Sequence, residues 1–360
     1  DLQISGLPDK TIQQQIKSET VAILPTDFRG IKPKLIVKEG DNVKIGSPLF
    51  FNKVNPDIKW GSPACGTVKT IEYGPRRVIQ KIEIQLSDSQ ESEKNKKYKN
   101  SEIIGLDREV AIDTILGANI FPFFRQRPFN IIPDPKVIPR DIFVSAINTA
   151  PLAFDQEVVI KENLDSFQAG VDALNTLTSG KVYLTSKTGS VVSSIQNVET
   201  YTIDGPHPAG NVGIQIHHIS HLKPGENVWT INSQDVITIG KLFLRGIYDP
   251  TRVITLAGPC IKEPGHFRIN AGAKISTITN GRMINDEKRI ISGDVLTGRV
   301  TSPDDFLSFY DYSISVISDE VKREFIGMLN PGSSSSRYSL TPVFLSLSKL
   351  LYPFNTSQNG

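Results

Sequence analysis

The chain has 360 residues, 38% of them hydrophobic, with 40 basic side chains against 38 acidic ones. Such a length predicts two or three domains with sizeable cores, and the near-balance of charge offers no electrostatic footprint for nucleic acid. The two cysteines, Cys65 and Cys260, lie far apart and outside any metal-ligand spacing, which argues against a disulfide framework, a zinc site or a cysteine-ligated iron–sulfur cluster within the chain.

No apolar run reaches the roughly 18 to 20 residues that span a bilayer, and the opening DLQISGLPDK lacks the apolar segment of a signal peptide. A reducing, cytoplasmic setting is expected. A start at Asp1 and an end in FNTSQNG suggest a chain lacking one or both natural ends.

Residues 21–85 read as all-β. Short runs (VAIL, KLIVK, SPLFFNK, GTVKTIEY, RRVIQKIEIQ) alternate with the turn sequences KEGDN, NPD, GSPACG and YGPR. The mixed-charge stretch SDSQESEKNKKYKN (87–100) predicts a solvated linker or a long hairpin tip.

From residue 101 helices and strands alternate. Val110, Ile115 and Leu116 mark a short helix closed by Gly117, and DIFVSAIN (141–148) is a buried-strand run. Phe167, Val171, Leu174 and Leu177 recur at helical spacing before Gly180, the expected cap. KVYLTS (181–186) and VETYTI (198–203) read as strands. Ser233 opens a helix with Val236, Ile239 and Phe243 on one face, Asp235 in its first turn and Gly246 past its end. Such alternation predicts a mainly parallel sheet with crossovers.

Residues 252–300 return to short strands and glycine turns (RVITLAG, EPGHFRINAG, RIISGDVLTG). Beyond 300 come a mixed region, a serine run at 333–336 and TPVFLSLSKLLYPF, expected to be an amphipathic helix packing on the body or on a missing C-terminal part.

Four of the five histidines fall in DGPHPAGNVGIQIHHISHLKPGENVWTINSQDVITIGKLFLRG (204–246). Prolines on both sides hold His207 in a stiff turn, and rigid loop residues more often recognise something than merely connect elements. For a metal, His218 and His221 stand three apart on one helical face, with Asp204 and Glu226 nearby, but adjacent His217 and His218 diverge and no HExxH motif is present. Hydrogen-bonding or interface use is expected instead; a metal-dependent hydrolase would rest on the histidines alone.

Neither GxGxxG nor GxxxxGK[ST] occurs, and INTAPLAFDQE after DIFVSA has no glycine to let backbone approach a pyrophosphate. No tight NAD or flavin binding is expected. No GxSxG elbow or evident carboxylate pair suggests hydrolytic catalysis. In IFPFFRQRPFNIIPDP (120–135), Phe121, Phe123, Phe124 and Phe129 alternate with Arg125 and Arg127. Proline-stiffened aromatics beside arginines suit either a domain-packing arm or a hydrophobic docking surface.

VKEGDNVKIGSPLFFNKVNPDIKWGSPACGTVKTI resembles the barrel-sandwich hybrid of biotinyl and lipoyl carriers. The expected hairpin tip falls at Asn55-Pro56-Asp57, with Lys53 and Lys59 flanking it, so the swinging arm is missing. TLAGPCIKEPGHFRI resembles the opening of a soluble-ligand-binding β-grasp (SLBB) domain. Together with DGPHPAGNVGIQIHHIS, VWTINSQDVITIGKLFLRG, PFFRQRPF and RIISGDVLTG, these segments resemble the NqrA family, the first of the subunits of the sodium-translocating NADH:quinone oxidoreductase (Na+-NQR), over nearly the whole chain.

The resemblance implies an α/β multidomain fold. Residues 1–100 would form a barrel-sandwich hybrid without a modified lysine, followed by a linker. Residues 101–250 would form a Rossmann-like domain similar in architecture to the flavoprotein of complex I, and 251–325 an SLBB domain. Residues 326–360 would begin a C-terminal region that continues further in the family.

It also implies a peripheral subunit on the cytoplasmic face of the bacterial inner membrane, with no span of its own and with other subunits of the complex as partners. That complex oxidises NADH, reduces ubiquinone and exports sodium; NADH, FAD, FMN and iron–sulfur sites would lie on partner subunits. Ubiquinone is the one ligand left open for this chain. Its carbonyls need donors and its ring an apolar wall, which nominates His207, Asn211, His217 and His218 as donors and Phe121, Phe123 and Phe124 as wall. One alternative is a purely structural adaptor, in which the histidine segment docks on a membrane-embedded partner. The other is a component of an Rnf-type electron-transport complex.

Overall fold

The computed structural model describes residues 4–284, 288–319 and 351–353. The serine run, the expected helix of TPVFLSLSKLLYPF up to residue 350 and most of the region 326–360 lie outside the described residues.

The chain begins with β1 (Ile12–Gln13), which joins a sheet formed much later in the sequence. Seven strands follow: β2 (Thr20–Ile23), β3 (Pro33–Leu35), β4 (Asn42–Val43), β5 (Pro48–Asn52), β6 (Asn55–Gly61), β7 (Gly66–Tyr73) and β8 (Ile79–Leu86). They form two antiparallel sheets, β2-β8-β7-β4 and β3-β5-β6. Leu49, Phe50, Trp60, Ile82 and Ile84 fill the interior, with Phe50 stacked on Trp60 at 4.6 Å.

The β5–β6 tip differs from expectation. Asn52 pairs with Asn55, so the turn is Lys53-Val54 and Lys53 occupies it, while Pro56 and Asp57 lie within β6. The physical reason is local: a register shift between Phe51 and Asn52 shortens the loop, and Asn52 Oδ1 accepts from the N–H groups of Lys32 and Val54.

The charged stretch after β8 is more than a tether. Asn95 and Tyr98 donate their N–H groups to the carbonyls of Gly246 and Phe243, and Tyr98 is buried.

Next come α1 (Asn100–Ile103), α2 (Arg108–Gly117), β9 (Arg125–Arg127), β10 (Ile142–Ser145), α3 (Gln156–Glu162), α4 (Leu164–Asn175), β11 (Val182–Ser186), β12 (Glu199–Thr202), α5 (Val212–Ser220), β13 (Val228–Asn232) and α6 (Ser233–Arg245). The sheet order is β12-β11-β10-β13-β9, parallel except for the edge strand β9. Helix α4 ends at Asn175, well short of Gly180, because Thr176 and Leu177 close its last turn. Gly180 instead lies against the Arg140 carbonyl, where a Cβ would come within 2.0 Å. Helix α6 follows the expected bounds, capped by the Asn232 side chain at its start and by Gly246 at φ 69° at its end. Helices α4 and α6 meet backbone to backbone at Gly170 and Gly240.

The third unit contains β14 (Thr251–Ala257), β15 (Gly265–Asn270), α7 (Ile275–Thr279), β16 (Lys288–Ser292), β17 (Arg299–Thr301) and β18 (Ser313–Ser318). Its sheet runs β1-β15-β14-β18-β16-β17. Residues 4–16, expected within the N-terminal β unit, therefore strap this last sheet. β1 pairs in parallel with β15, Ile16 enters the same apolar core, and Nδ1 of buried His266 sits 2.6 Å from the Asp9 carbonyl.

Aromatic rings join the three units. Phe28 meets Phe309 and Tyr310, and Phe123 stacks on Phe309 at 5.5 Å. The buried Arg252 guanidinium faces the rings of Phe123, Phe309 and Tyr312.

Candidate functional site

In the parallel sheet, β11 and β12 extend to one side of β10 and β13 to the other. The crevice beyond the carboxyl ends of strands at such a reversal is where open α/β sheets receive ligands. An open cleft of about 500 Å³ occupies this place. Ser145 and Asn232, the final residues of β10 and β13, form part of it; Asn148, Gln156, Arg127 and the start of α5 supply the rest.

The α5 side is built from DGPHPAGNVG. Gly210 must approach the β10 loop closely: its N–H donates to Thr149 Oγ1 at 2.8 Å, and a Cβ there would come within 2.5 Å of the Thr149 nitrogen. Buried Gln215 ties the helix to the sheet, accepting from Thr185 Oγ1 at 2.8 Å and donating to the Gly210 carbonyl at 3.1 Å and to Ser145 Oγ at 3.2 Å. At the far end Arg140 bonds the carbonyls of Ser220 and His221. The histidine segment is thus fixed at both ends.

The expected site residues scatter over this frame. Asn211 lines the cleft as the first flanking residue of α5, with no cap bond from its side chain. His207 is not among the lining residues; its Nδ1 lies 3.3 Å from Thr149 Oγ1. His217 and His218 are exposed near the opposite end of α5, rings edge to face at 5.1 Å, away from the cleft lining. His221 follows the last helical residue, so it does not share a helical face with His218. Among the described residues no group of three His, Cys, Asp or Glu side chains is arranged to hold a metal.

Phe121, Phe123 and Phe124 correct the expectation of an apolar wall. They are 0%, 2% and 0% exposed, interior residues that present no surface to the cleft. Pro122 folds the segment into a 3-10 turn that drives Phe121 and Phe124 against Trp229 and Phe123 against Phe309. Only Phe129 of that series stays out, 66% exposed. The apolar side of the cleft comes from Ile147, Val212 and Ile214.

The residues missed by sequence reasoning are Arg127, Ser145, Asn148, Gln156 and Asn232. For Ser145, Asn148 and Asn232 the one signal was position, polar side chains at or just past the ends of apolar strand runs; Arg127, in the polar strand β9, and Gln156, at the start of α3, had none.

A barrel-sandwich β unit, an α/β unit with its cleft at the strand reversal and a β-grasp-type sheet define a three-domain protein of mixed α/β class. Each part matches a known domain: the NqrA N-terminal barrel-sandwich hybrid domain over residues 1–87, the NqrA second alpha/beta domain over 106–248 and the NQRA C-terminal domain, of SLBB type, over 253–302. The chain is 37% identical over 363 residues to NqrA of the Na(+)-translocating NADH-quinone reductase of Marinomonas sp. (strain MWYL1), covering 100% of this chain and 81% of that one. It is 38% identical over 367 residues to the same protein of Saccharophagus degradans and 37% over 364 residues to that of Vibrio atlanticus, each with the same coverage. A chain of an NAD+-reducing [NiFe]-hydrogenase superposes with a TM-score of 0.45 at 11% identity, covering 61% of this chain and 49% of that one.

The chain belongs to the NqrA family of the Na(+)-translocating NADH-quinone reductase. It is one component of a complex that is an NADH:quinone oxidoreductase. Other subunits of that complex are its partners, and no helix among the described residues is long and apolar enough to cross a membrane.

Proposed function

We propose that this chain is a peripheral subunit, without a redox cofactor of its own, on the cytoplasmic face of a complex that couples NADH oxidation and ubiquinone reduction to sodium export. NADH, FAD, FMN and iron–sulfur chemistry then belongs to partner subunits. In support, the loop after β10 contains no glycine between Ala146 and Asp155, so it cannot bring backbone close to a pyrophosphate as dinucleotide loops do. The observation that carries a quinone-associated role is the mouth of the cleft. Asn211 supplies a donor there beside Ile147, Val212 and Ile214, with His207 on the turn just before it, the pairing of polar and apolar groups that a quinone headgroup needs.

A second reading, a docking adaptor, is favoured by the exposed His217 and His218 on a helix held rigidly at both ends. Combining His207→Ala with Asn211→Ala, and separately His217→Ala with His218→Ala, in the intact complex separates the two. Normal assembly with weakened quinone turnover supports the quinone role; failed assembly supports docking. A quinone photoprobe that labels nothing between Asp204 and His221 removes the quinone role.

A further inference from the structure

Arg127 lines the cleft and has no counter-ion. Among the described residues its guanidinium makes no hydrogen bond or ion pair, and its Nε is shut off from solvent without an acceptor. Arg140 and Arg252, also drawn into the fold, each face carboxylates: Asp141 and Glu226 for the first, Asp235 for the second. The charged neighbour of Arg127 is Arg125, two residues back on the same face of β9, which lies over the Tyr310 ring at 4.0 Å. Burial and this like charge both push the Arg127 pKa down. A half-buried cation without a partner is an unfavourable arrangement by itself.

The rest of the lining explains what would relieve it. No carboxylate borders the cleft. The first-turn N–H groups of Val212 and Gly213 have no partner inside α5, and the Asn211 side chain does not cap them. Asn148 uses its Oδ1 on the Ala150 N–H, which leaves its amide nitrogen as a donor. Guanidinium, helix first turn and amide all donate, and two of them carry positive charge or partial charge.

We infer that the cleft is a binding site for a small oxyanion, a phosphate or carboxylate group, held between the Arg127 guanidinium and the first turn of α5. The inference goes beyond the quinone reading and does not rest on it. A neutral quinone would use the rim donors by hydrogen bonding alone, whereas the oxyanion is chosen by charge.

The full chain is titrated with inorganic phosphate, and separately with malonate, by calorimetry at constant ionic strength set with chloride. Saturable binding of one anion per chain is expected, with Arg127→Gln weakening it by about tenfold or more and Arg125→Gln leaving it within about twofold. Phosphate binding tighter than malonate assigns a phosphoryl ligand; the reverse assigns a carboxylate. Gly213→Glu provides an arm that does not depend on how Arg127→Gln folds. A Cβ at Gly213 meets nothing within 4 Å, so the tethered carboxylate is accommodated, occupies the site, raises Tm and abolishes anion binding. No saturable binding of either anion by the parent chain, or binding undiminished in folded Arg127→Gln and in Gly213→Glu, overturns the inference. Neither result bears on quinone labelling, so this inference and the quinone role fail separately.

Discussion

Nη2 of Arg140 donates to the Ser220 carbonyl at 2.7 Å and to the hydroxyl of the same residue at 2.8 Å. Its Nη1 reaches the next carbonyl, His221, at 3.1 Å, and its Nε is held by Asp141 at 2.8 Å. A cation thus sits on the last carbonyls of α5, which no helical N–H can satisfy and where the helix dipole is negative. Glu226 closes the ring from the loop before β13. An arginine just before β10 thereby fixes the exit of the histidine helix more than 80 residues later in sequence.

Replacing Arg140 by Met should therefore act on α5 first. The expected loss is about 1–3 kcal/mol in urea denaturation, because two carbonyls and a largely buried carboxylate lose a charged partner. Hydrogen exchange should rise at residues 212–221 while α6 keeps its protection. Equal loss of protection in both helices would show that the clamp is not local.

Asp235 and Arg252 make the second case. They lie 3.5 Å apart and both are buried, with the Tyr312 hydroxyl donating to Asp235 at 2.6 Å. Arg252→Met strands a buried carboxylate and should cost about 3–5 kcal/mol, whereas the double variant Asp235→Leu/Arg252→Met should cost clearly less than the sum of its single changes. Burial pushes the Asp235 carboxyl up to about 6, from 3.8. The folded state therefore holds this proton more tightly than the unfolded state. Its contribution is complete below about pH 3.8 and is lost as the pH rises through about 6. The stability of the parent chain minus that of Asp235→Asn should fall between pH 4 and 6 and then level off; a rise across that window would refute the assignment.

Two glycines should respond oppositely to alanine. At Gly240 a Cβ would stand 1.7 Å from the Ser166 carbonyl oxygen, so Gly240→Ala must push α6 off α4, at an expected cost of about 1–3 kcal/mol despite the better helix propensity. At Gly213 the space is empty, and Gly213→Ala should be neutral or stabilising by up to ~1 kcal/mol. Thermal denaturation of the two variants tests the contrast directly.

Helix α6 shows how much was legible in the chain. Its apolar face, its acidic first turn and the glycine beyond its end are all local signals, and its bounds follow them. The strands VYLTS and IFVS were legible for the same reason: β propensity and apolar runs act within a few residues. Helix α4 was legible in its face but not in its end, because loop hydrogen bonds from Thr178 to the carbonyls of Pro139 and Arg140 supersede Gly180 as the stop.

The site was legible in part. Asn211 lines the cleft because a proline-bounded turn before a helix is a local device visible in DGPHPAGNVG, whereas His207 on that turn is not among the lining residues. His217 and His218 were grouped with them by nearness in sequence, yet a helix carries its two ends to different places. Phe121, Phe123 and Phe124 look alike in sequence whether they face a ligand or a core; only Trp229 and Phe309, distant along the chain, decide which.

The residues by themselves determined the three unlike stretches, the absence of a dinucleotide loop after β10 and the family to which the chain belongs, since these depend on local pattern and motif. Tertiary structure alone decided that β1 straps the last sheet, that Arg127 faces the cleft without a counter-ion and that Arg140 clamps α5. Each depends on which distant segments the packing of apolar faces brings together, and strand order is set by that burial rather than by any short run of sequence.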